Sequence, residues 1–356
     1  MRIISIANQK GGCGKTTTAI NLSACLAHKG RNALLVDMDP QGHSGIGLNI
    51  DADNLEKSIF NVICDSGDNN APINEVIIQI SDKFHLAPSN ISLSLFDQHL
   101  SQVNGRENKL KEAIADLHRI YDYLIIDCPP NLGLLTFNSL IASTEVIVPM
   151  EMSLFSLHGI SKLYEIIELV HKKTGHEIQV KVVATMFDKR TRLSYEVLKN
   201  IKTHFNNSLF KTVINNNVTL KEAASFGKSI VDYQQKASGF SDYMALANEV
   251  FAEEKKLKMT PVKEKYSHAA AKVAKQFVFH APEANTVKIV GNFNNWDPTE
   301  AAVMKRTQDG TWQKSLFLVP GTYEYRFIVD DTWVEDDNAS LVDNSFGSKN
   351  SVVEIS

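Results

Sequence analysis

The chain has 356 residues, 43 % of them hydrophobic, and a formal net charge of −4. This is enough apolar material for two or three cores, and the acidic balance argues against a chain that coats nucleic acid through bulk charge. No apolar run approaches the ~20 residues that span a bilayer, and Cys13, Cys25, Cys64 and Cys128 lack metal-ligand spacing, which leaves reduced cytosolic thiols as the expectation.

In chain order, Ile3 to Ala7 is a short apolar run, too short for a signal peptide and expected as a core strand. It feeds Lys10-Gly11-Gly12-Cys13-Gly14-Lys15-Thr16-Thr17, and an apolar-periodic helix is expected over 15–29. Strand, glycine-rich loop, lysine and helix together make a phosphate cradle. Glycines let backbone N–H groups turn inward without a Cβ in the way, and the helix N-terminus adds its dipole and free donors. In such a loop Lys15 reaches the β- and γ-phosphates and the Thr16 hydroxyl holds Mg²⁺. Lys10 is a second lysine that an ordinary phosphate loop does not need.

Further buried strands are expected at 33–37, 123–127, 145–149 and 180–185, and helices at 105–119, 156–173, 191–205 and 239–254. The strand at 33–37 runs into Asp37-Met38-Asp39-Pro40-Gln41-Gly42, and that at 123–127 into Asp127-Cys128-Pro129-Pro130. An apolar strand ending in one carboxylate suits an outer-shell Mg²⁺ partner. The alternation implies an α/β fold, a mostly parallel sheet with helices on both faces. Ligands of such sheets sit at the carboxyl ends of strands, so the three motifs converge on one site.

From 253 to 275 the character changes. Seven lysines against three glutamates, Pro261 and few large apolar residues read as a charged linker. Residues 276–356 then give short strands at 276–280, 286–291, 312–318, 322–329 and 351–355, with corners at Asp309-Gly310 and Pro320-Gly321. This is the pattern of an all-β sandwich of immunoglobulin-like shape. Six basic against twelve acidic side chains make it the acidic part of the chain.

The double-lysine loop, Asp37–Gly42, Tyr123–Pro130, Thr185–Asp188 and Glu222–Gly227 together resemble the ParA/MinD family of P-loop ATPases, which partition or position cargo inside bacteria. The likeness covers about residues 1–252. It implies ATP and Mg²⁺ as cofactors, with Gly11, Gly12, Cys13, Gly14, Lys15, Thr16 and Thr17 around the phosphates. Thr16, Asp37 and Asp127 would serve the metal, and Asp39 would orient the attacking water. Lys10 of one subunit would reach the phosphates of the other in an ATP-bound homodimer. The resemblance further implies a cytoplasmic protein, with an activating protein partner and the nucleoid as a second place of residence. Non-specific DNA binding stays open. Lys189, Arg190, Arg192, Lys199, Lys202, Lys211, Lys221, Lys228 and Lys236 outnumber nearby acids, but Asn215-Asn216-Asn217-Val218-Thr219 stands where the family often has Pro-Arg-Asn-x-Arg. MinD-type proteins also carry a membrane-binding amphipathic helix near their end. Val250, Phe251, Leu257 and Met259 give only a feeble apolar face, so no membrane insertion is expected.

Residues 276–356 resemble the glycogen-binding module of AMP-activated kinase β-subunits and carbohydrate-binding module family 48. The likeness rests on Val290-Gly291-Asn292-Phe293-Asn294-Asn295-Trp296, on Gly321 to Asp330, on Trp333 and on Asn344 to Asn350. It implies Trp296 and Trp333 as sugar-stacking platforms, Arg326 in place of a lysine that bonds sugar hydroxyls, Phe346 in place of an inserting leucine, Ser348 in place of a threonine, and Asn350 unchanged. Flat indoles cover the apolar face of a pyranose at low entropy cost, while Arg326 and Asn350 can satisfy its hydroxyl rim. Trp312 reads as a core residue. Two functions follow: a positioning ATPase whose cargo or anchor is an α-glucan, or a DNA partition ATPase whose sandwich only docks proteins.

Overall fold

The structure, a computed structural model, describes the chain except residues 65–70, 154–155, 206–207, 258–272, 295, 300–301, 308, 319–320, 345–347 and 356. The chain divides into two units, Met1–Lys263 and Glu264–Ser356.

The first unit is built on eight strands: β1 (Arg2–Ile6), β2 (Ala33–Asp37), β3 (Ile78–Ser81), β4 (Phe84–Ala87), β5 (Tyr123–Asp127), β6 (Glu145–Glu151), β7 (Gln179–Phe187) and β8 (Leu209–Asn215). They form one sheet in the order β3-β4-β2-β5-β1-β6-β7-β8, parallel except for the β3–β4 pair. The helices are α1 (Lys15–His28), α2 (His43–Ile46), α3 (Ile59–Ile63), α4 (Phe96–His99), α5 (Lys109–Ala113), α6 (Leu134–Ala142), α7 (Ser156–Thr174), α8 (Arg192–Phe205), α9 (Val218–Ser225), α10 (Ile230–Tyr233) and α11 (Ser238–Leu257).

The alternation of strand side chains sends apolar residues to both faces, which is why these strands read as unbroken apolar runs. On β2 and β5, Leu34, Val36, Leu124 and Ile126 join one core with Leu140, Leu163 and Ile201. Ala33, Leu35, Tyr123 and Ile125 join the other with Leu22, Leu26, Tyr243 and Leu246. Each such fully buried aliphatic side chain contributes roughly 1.5–3 kcal/mol of transfer free energy.

The sequence pattern misses α6, β8 and the β3–β4 hairpin, and it merges 105–119 into one helix. That stretch is 3₁₀ turns at Arg106–Asn108 and Ala115–Arg119 flanking the short α5. At the expected linker, α11 runs on through Leu257 and β9 begins at Val273. Glu253 and Glu254 belong to that helix and pair with Lys181 at 2.6 Å and Arg31 at 3.3 Å. The intervening 258–272 lie outside the described residues, Met259 among them, whereas Val250 is fully buried. Among the described residues no helix is long and apolar enough to cross a membrane.

The second unit has β9 (Val273–His280), β10 (Val287–Gly291), β11 (Lys305–Arg306), β12 (Thr311–Leu318), β13 (Gly321–Val329), β14 (Thr332–Val334), β15 (Ser340–Asp343) and β16 (Lys349–Ile355). One antiparallel sheet runs β10-β13-β16-β15, with β14 on β13, and the other runs β11-β12-β9. Tyr323, Tyr325, Phe327 and Val329 of β13 face the core with Phe277, Ile289 and Trp312. Trp312 is buried and its indole N–H donates to the Ala281 carbonyl at 3.0 Å. Glu324, Arg326 and Ile328 therefore lie on the opposite face of β13, as the two-residue strand period requires.

Candidate functional site

The phosphate loop lies between β1 and α1. Gly12 and Gly14 adopt φ of 75° and 90°, the left-handed region that glycine enters without strain, and Gly14 is the N-cap of α1. A Cβ built on Gly11 or Gly12 would meet nothing within 4 Å, so both glycines border open space. Lys15 is buried, and its ammonium donates to the Lys10 carbonyl at 3.2 Å. Cys13 is buried, its carbonyl accepts from Thr185 Oγ1 at 2.9 Å, and burial pushes its thiol pKa up. It acts as packing beneath the loop. Met186, next to Thr185, takes the left-handed φ of 54°. Its Cε would lie 3.8 Å from a Cβ at Gly14.

Asp37 and Asp127 are register partners at the ends of β2 and β5, and both are fully buried. Asp37 accepts from the backbone N–H of Asp39 and of Ser44, each at 3.0 Å. Asp127 Oδ2 accepts from Ser44 Oγ at 2.8 Å, while Asp127 Oδ1 has no hydrogen-bond partner. Burial, then the charge of Asp127, raises the Asp37 pKa well above the usual carboxylate range, and burial pushes Asp127 up to about 6. Two buried carboxylates side by side, one with an orphaned oxygen, fit a nearby divalent cation, which favours their charged forms. Among the described residues no cluster of three or more His, Cys, Asp or Glu forms a protein-only metal cage. The Thr16 hydroxyl and the charge of Asp39, whose carboxylate accepts from the Gln41 N–H at 3.0 Å, both act on Asp127.

Lys10 does not extend away from its own chain. Its ammonium is ion-paired with Glu151 at the end of β6 and donates to Ser153 Oγ at 2.8 Å. Ser44, Glu151 and Ser153 were not singled out by sequence. Glu151 could have been found as the terminal residue of a buried strand ending on the same edge as Asp37 and Asp127. Ser44 carries no comparable signal.

The nine basic residues from Lys189 to Lys236 are all exposed. Two already hold partners, Arg190 with Asp188 and Arg192 with Glu196, each at 2.8 Å. In the stretch lacking the family's arginines, Asn215 bonds Asp242 and Asn217 caps α9 through the Thr219 N–H at 2.7 Å.

In the second unit, the rings of Trp296 and Trp333 lie 6.4 Å apart at 36°. Trp333 is 44 % exposed, and Trp296 packs at the edge of a small cluster of Val290, Ala302 and Ile328. Arg326 donates to Ser348 Oγ and to the Trp333 carbonyl, each at 3.1 Å, and lies 3.6 Å from Glu335. Trp296, Trp333, Arg326 and Ser348 thus share one sheet face. Asn350 lies on the same face, buried, donating to Glu324 at 2.9 Å and accepting from Asn344 at 2.9 Å. Phe346 lies outside the described residues.

Comparison with known proteins matches this division. A family model described as AAA domain matches residues 1–180, and one described as the glycogen recognition site of AMP-activated protein kinase matches residues 273–356. The sporulation initiation inhibitor protein Soj of Bacillus subtilis is 41 % identical over 252 residues, 70 % of this chain and 98 % of Soj. The chromosome partitioning protein ParA of Myxococcus xanthus is 40 % identical, over 70 % of this chain and 87 % of its own length. Among solved structures, cobyrinic acid a,c-diamide synthase from Mycobacterium smegmatis with bound ADP and magnesium is similar at a TM-score of 0.63 and 29 % identity, covering 74 % of this chain and 100 % of that one. The chain belongs to the ParA/Soj family of P-loop AAA-domain proteins, and it carries a C-terminal domain of the AMP-activated-kinase glycogen-recognition type.

Proposed function

We propose that this chain is a Mg²⁺-dependent positioning ATPase that hydrolyses ATP to ADP and phosphate, pairs with a second copy in its ATP state, and holds an α-glucan through its C-terminal unit. The observation that carries the nucleotide half is a glycine loop whose Lys15 and Thr16 act on Asp127, one of two buried carboxylates paired at adjacent strand ends, with one oxygen unpartnered. In this reading the Lys15 ammonium neutralises the β- and γ-phosphates. Thr16, Asp37 and Asp127 would hold Mg²⁺ at this site. Bound Mg²⁺ supplies positive charge at the phosphate oxygens during phosphoryl transfer. Asp39 accepts a hydrogen bond from the attacking water and so sets its direction. Lys10 exchanges Glu151 for the phosphates of the partner copy, placing a second cation where charge develops. Pairing on ATP and release on hydrolysis then form a switch, timed by an activating protein in the cytoplasm.

The aromatic pair carries the glucan half. Trp296 and Trp333 offer two apolar platforms at 36° to each other for a curved chain of sugars, with the Arg326 guanidinium 5.9 Å from the Trp333 ring as hydroxyl donor. Ser348 and Asn350 act partly through the contacts that hold Arg326, Glu324 and Asn344 in place. A dimer presents two such faces, so avidity for a polymer rises with ATP.

A second reading, DNA partitioning at the nucleoid with the sandwich as a protein-docking module, is favoured by the nine exposed basic side chains. Pelleting of the full chain with glycogen, with and without ATP, beside a DNA gel shift at physiological salt separates the two. Glycogen pelleting that strengthens with ATP supports the glucan reading. ATP-dependent DNA binding without glycogen affinity replaces it with the second.

A further inference from the structure

Ser44 lies in α2, on the segment that follows Asp39, and is fully buried. It touches both carboxylates at the strand ends. Its hydroxyl donates to Asp127 Oδ2 at 2.8 Å, and its backbone N–H donates to Asp37 Oδ2 at 3.0 Å. Asp39 is tied to the same point, because its own N–H donates to Asp37 Oδ1 at 3.0 Å. The bond from Ser44 fixes one oxygen of Asp127 and leaves Oδ1 as the orphaned atom.

We propose that Ser44 is a positioning residue for the divalent cation of the nucleotide site. Its hydroxyl sets the rotamer of Asp127 so that Oδ1 is presented to the cation's shell. Its backbone N–H makes the segment from Met38 to Ile46 close on the same carboxylate pair. Cation occupancy and the placement of Asp39 are thereby coupled through one residue, whose hydroxyl holds Asp127 and whose backbone N–H holds Asp37. The requirement is for a hydroxyl donor. Alanine at this position removes this donor and leaves Asp127 with the Thr16 hydroxyl as its other side-chain hydrogen-bond partner, and a buried carboxylate held at fewer points serves the cation poorly. A purely packing role would need only the volume of the side chain.

The inference rests on the reading of this site as one for Mg²⁺ and nucleotide. The test is a titration of the full chain with a fluorescent ADP analogue, first in EDTA and then across a Mg²⁺ series, for wild type, Ser44→Ala and Ser44→Thr. Wild type and Ser44→Ala are expected to bind the analogue equally in EDTA. The Mg²⁺ concentration that half-completes the tightening of binding is expected to rise about tenfold or more in Ser44→Ala, the loss of a charge-assisted hydrogen bond, and to be restored in Ser44→Thr. Should the alanine variant not fold, Ser44→Cys, close in size but a weak donor, is expected to show the same displacement. An unchanged Mg²⁺ midpoint in a folded Ser44→Ala or Ser44→Cys variant overturns the proposal, as does an equal loss of affinity in EDTA and in Mg²⁺. A wild-type chain that binds no nucleotide in either condition overturns the underlying reading along with it.

Discussion

Lys10 and Glu151, separated by 141 residues, form an ion pair within one chain at the carboxyl edge of the sheet. The pair also holds Ser153, and it ties the start of the phosphate loop to the end of β6. A cation already held on its own chain must give up that partner before it can serve another copy. Lys10→Ala is therefore expected to abolish pairing in ATP and to slow hydrolysis, while nucleotide binding persists through Lys15. The cost to folding should be only ~0.5–1 kcal/mol, since both side chains are partly solvated. Light scattering in ATP checks this, and equal dimerisation of wild type and variant would sink it.

The aromatic pair gives a second expectation. Trp333→Ala removes a platform that is 44 % exposed, so it should leave the fold intact and weaken maltoheptaose binding about tenfold, or ~1.4 kcal/mol. Trp296→Ala should weaken binding similarly but also loosen the cluster with Val290, Ala302 and Ile328. The double variant should no longer pellet with glycogen. Calorimetry with maltoheptaose measures each step, and binding that survives the double change excludes stacking.

Asp127 predicts a pH dependence. Its folded pKa, pushed up to about 6, exceeds the ordinary carboxylate value of 3.8. The folded chain then binds a proton more tightly than the unfolded chain, so this group's stabilising contribution is complete below about pH 4. It is lost as pH rises through about 6. Without metal, the melting temperature should fall by several degrees between pH 5 and 7, and Asp127→Asn should flatten that slope. Thermal melts in EDTA across this range decide the point. A slope unaltered by the substitution would assign it to other groups.

Gly227 sits at φ 62°, and a Cβ there would lie 2.8 Å from the backbone nitrogen of Asn49, itself at φ 61°. Both the conformation and the contact exclude a side chain. Gly227→Ala should cost about 1–3 kcal/mol and lower the melting temperature in proportion. A melt within 1 °C of wild type, a margin well below the roughly 2–4 °C per kcal/mol expected for this size, would mean that the two loops separate freely.

What the sequence made legible was chemistry attached to pattern. The glycine loop, the two strand-end aspartates and the tryptophans could be placed because each stands next to a turn or at the end of an apolar run. α6 was missed because Leu134–Ala142 is apolar or small on every side, so no helical period emerges. β8 was missed because its burial is irregular, with a register shift against β7. Ser153 and Ser44 escaped for another reason. They matter through partners from 7 to 143 residues away, and no local pattern records such distances. Asn350 is expected at the sugar face by resemblance, but its burial beside Glu324 depends on how β16 pairs with β13.

That pairing makes β13 a strand with two readers. Tyr323, Tyr325 and Phe327 are read by the interior, and Glu324, Arg326 and Ile328 by the outer face. Point changes at 324 and 326 can retune the outer face while the aromatic core stays as it is. Loss or gain of a single residue upstream within the strand would exchange the two sets, turning rings outward and charges inward. The second unit should therefore vary by substitution along β13 and confine changes in length to its turns.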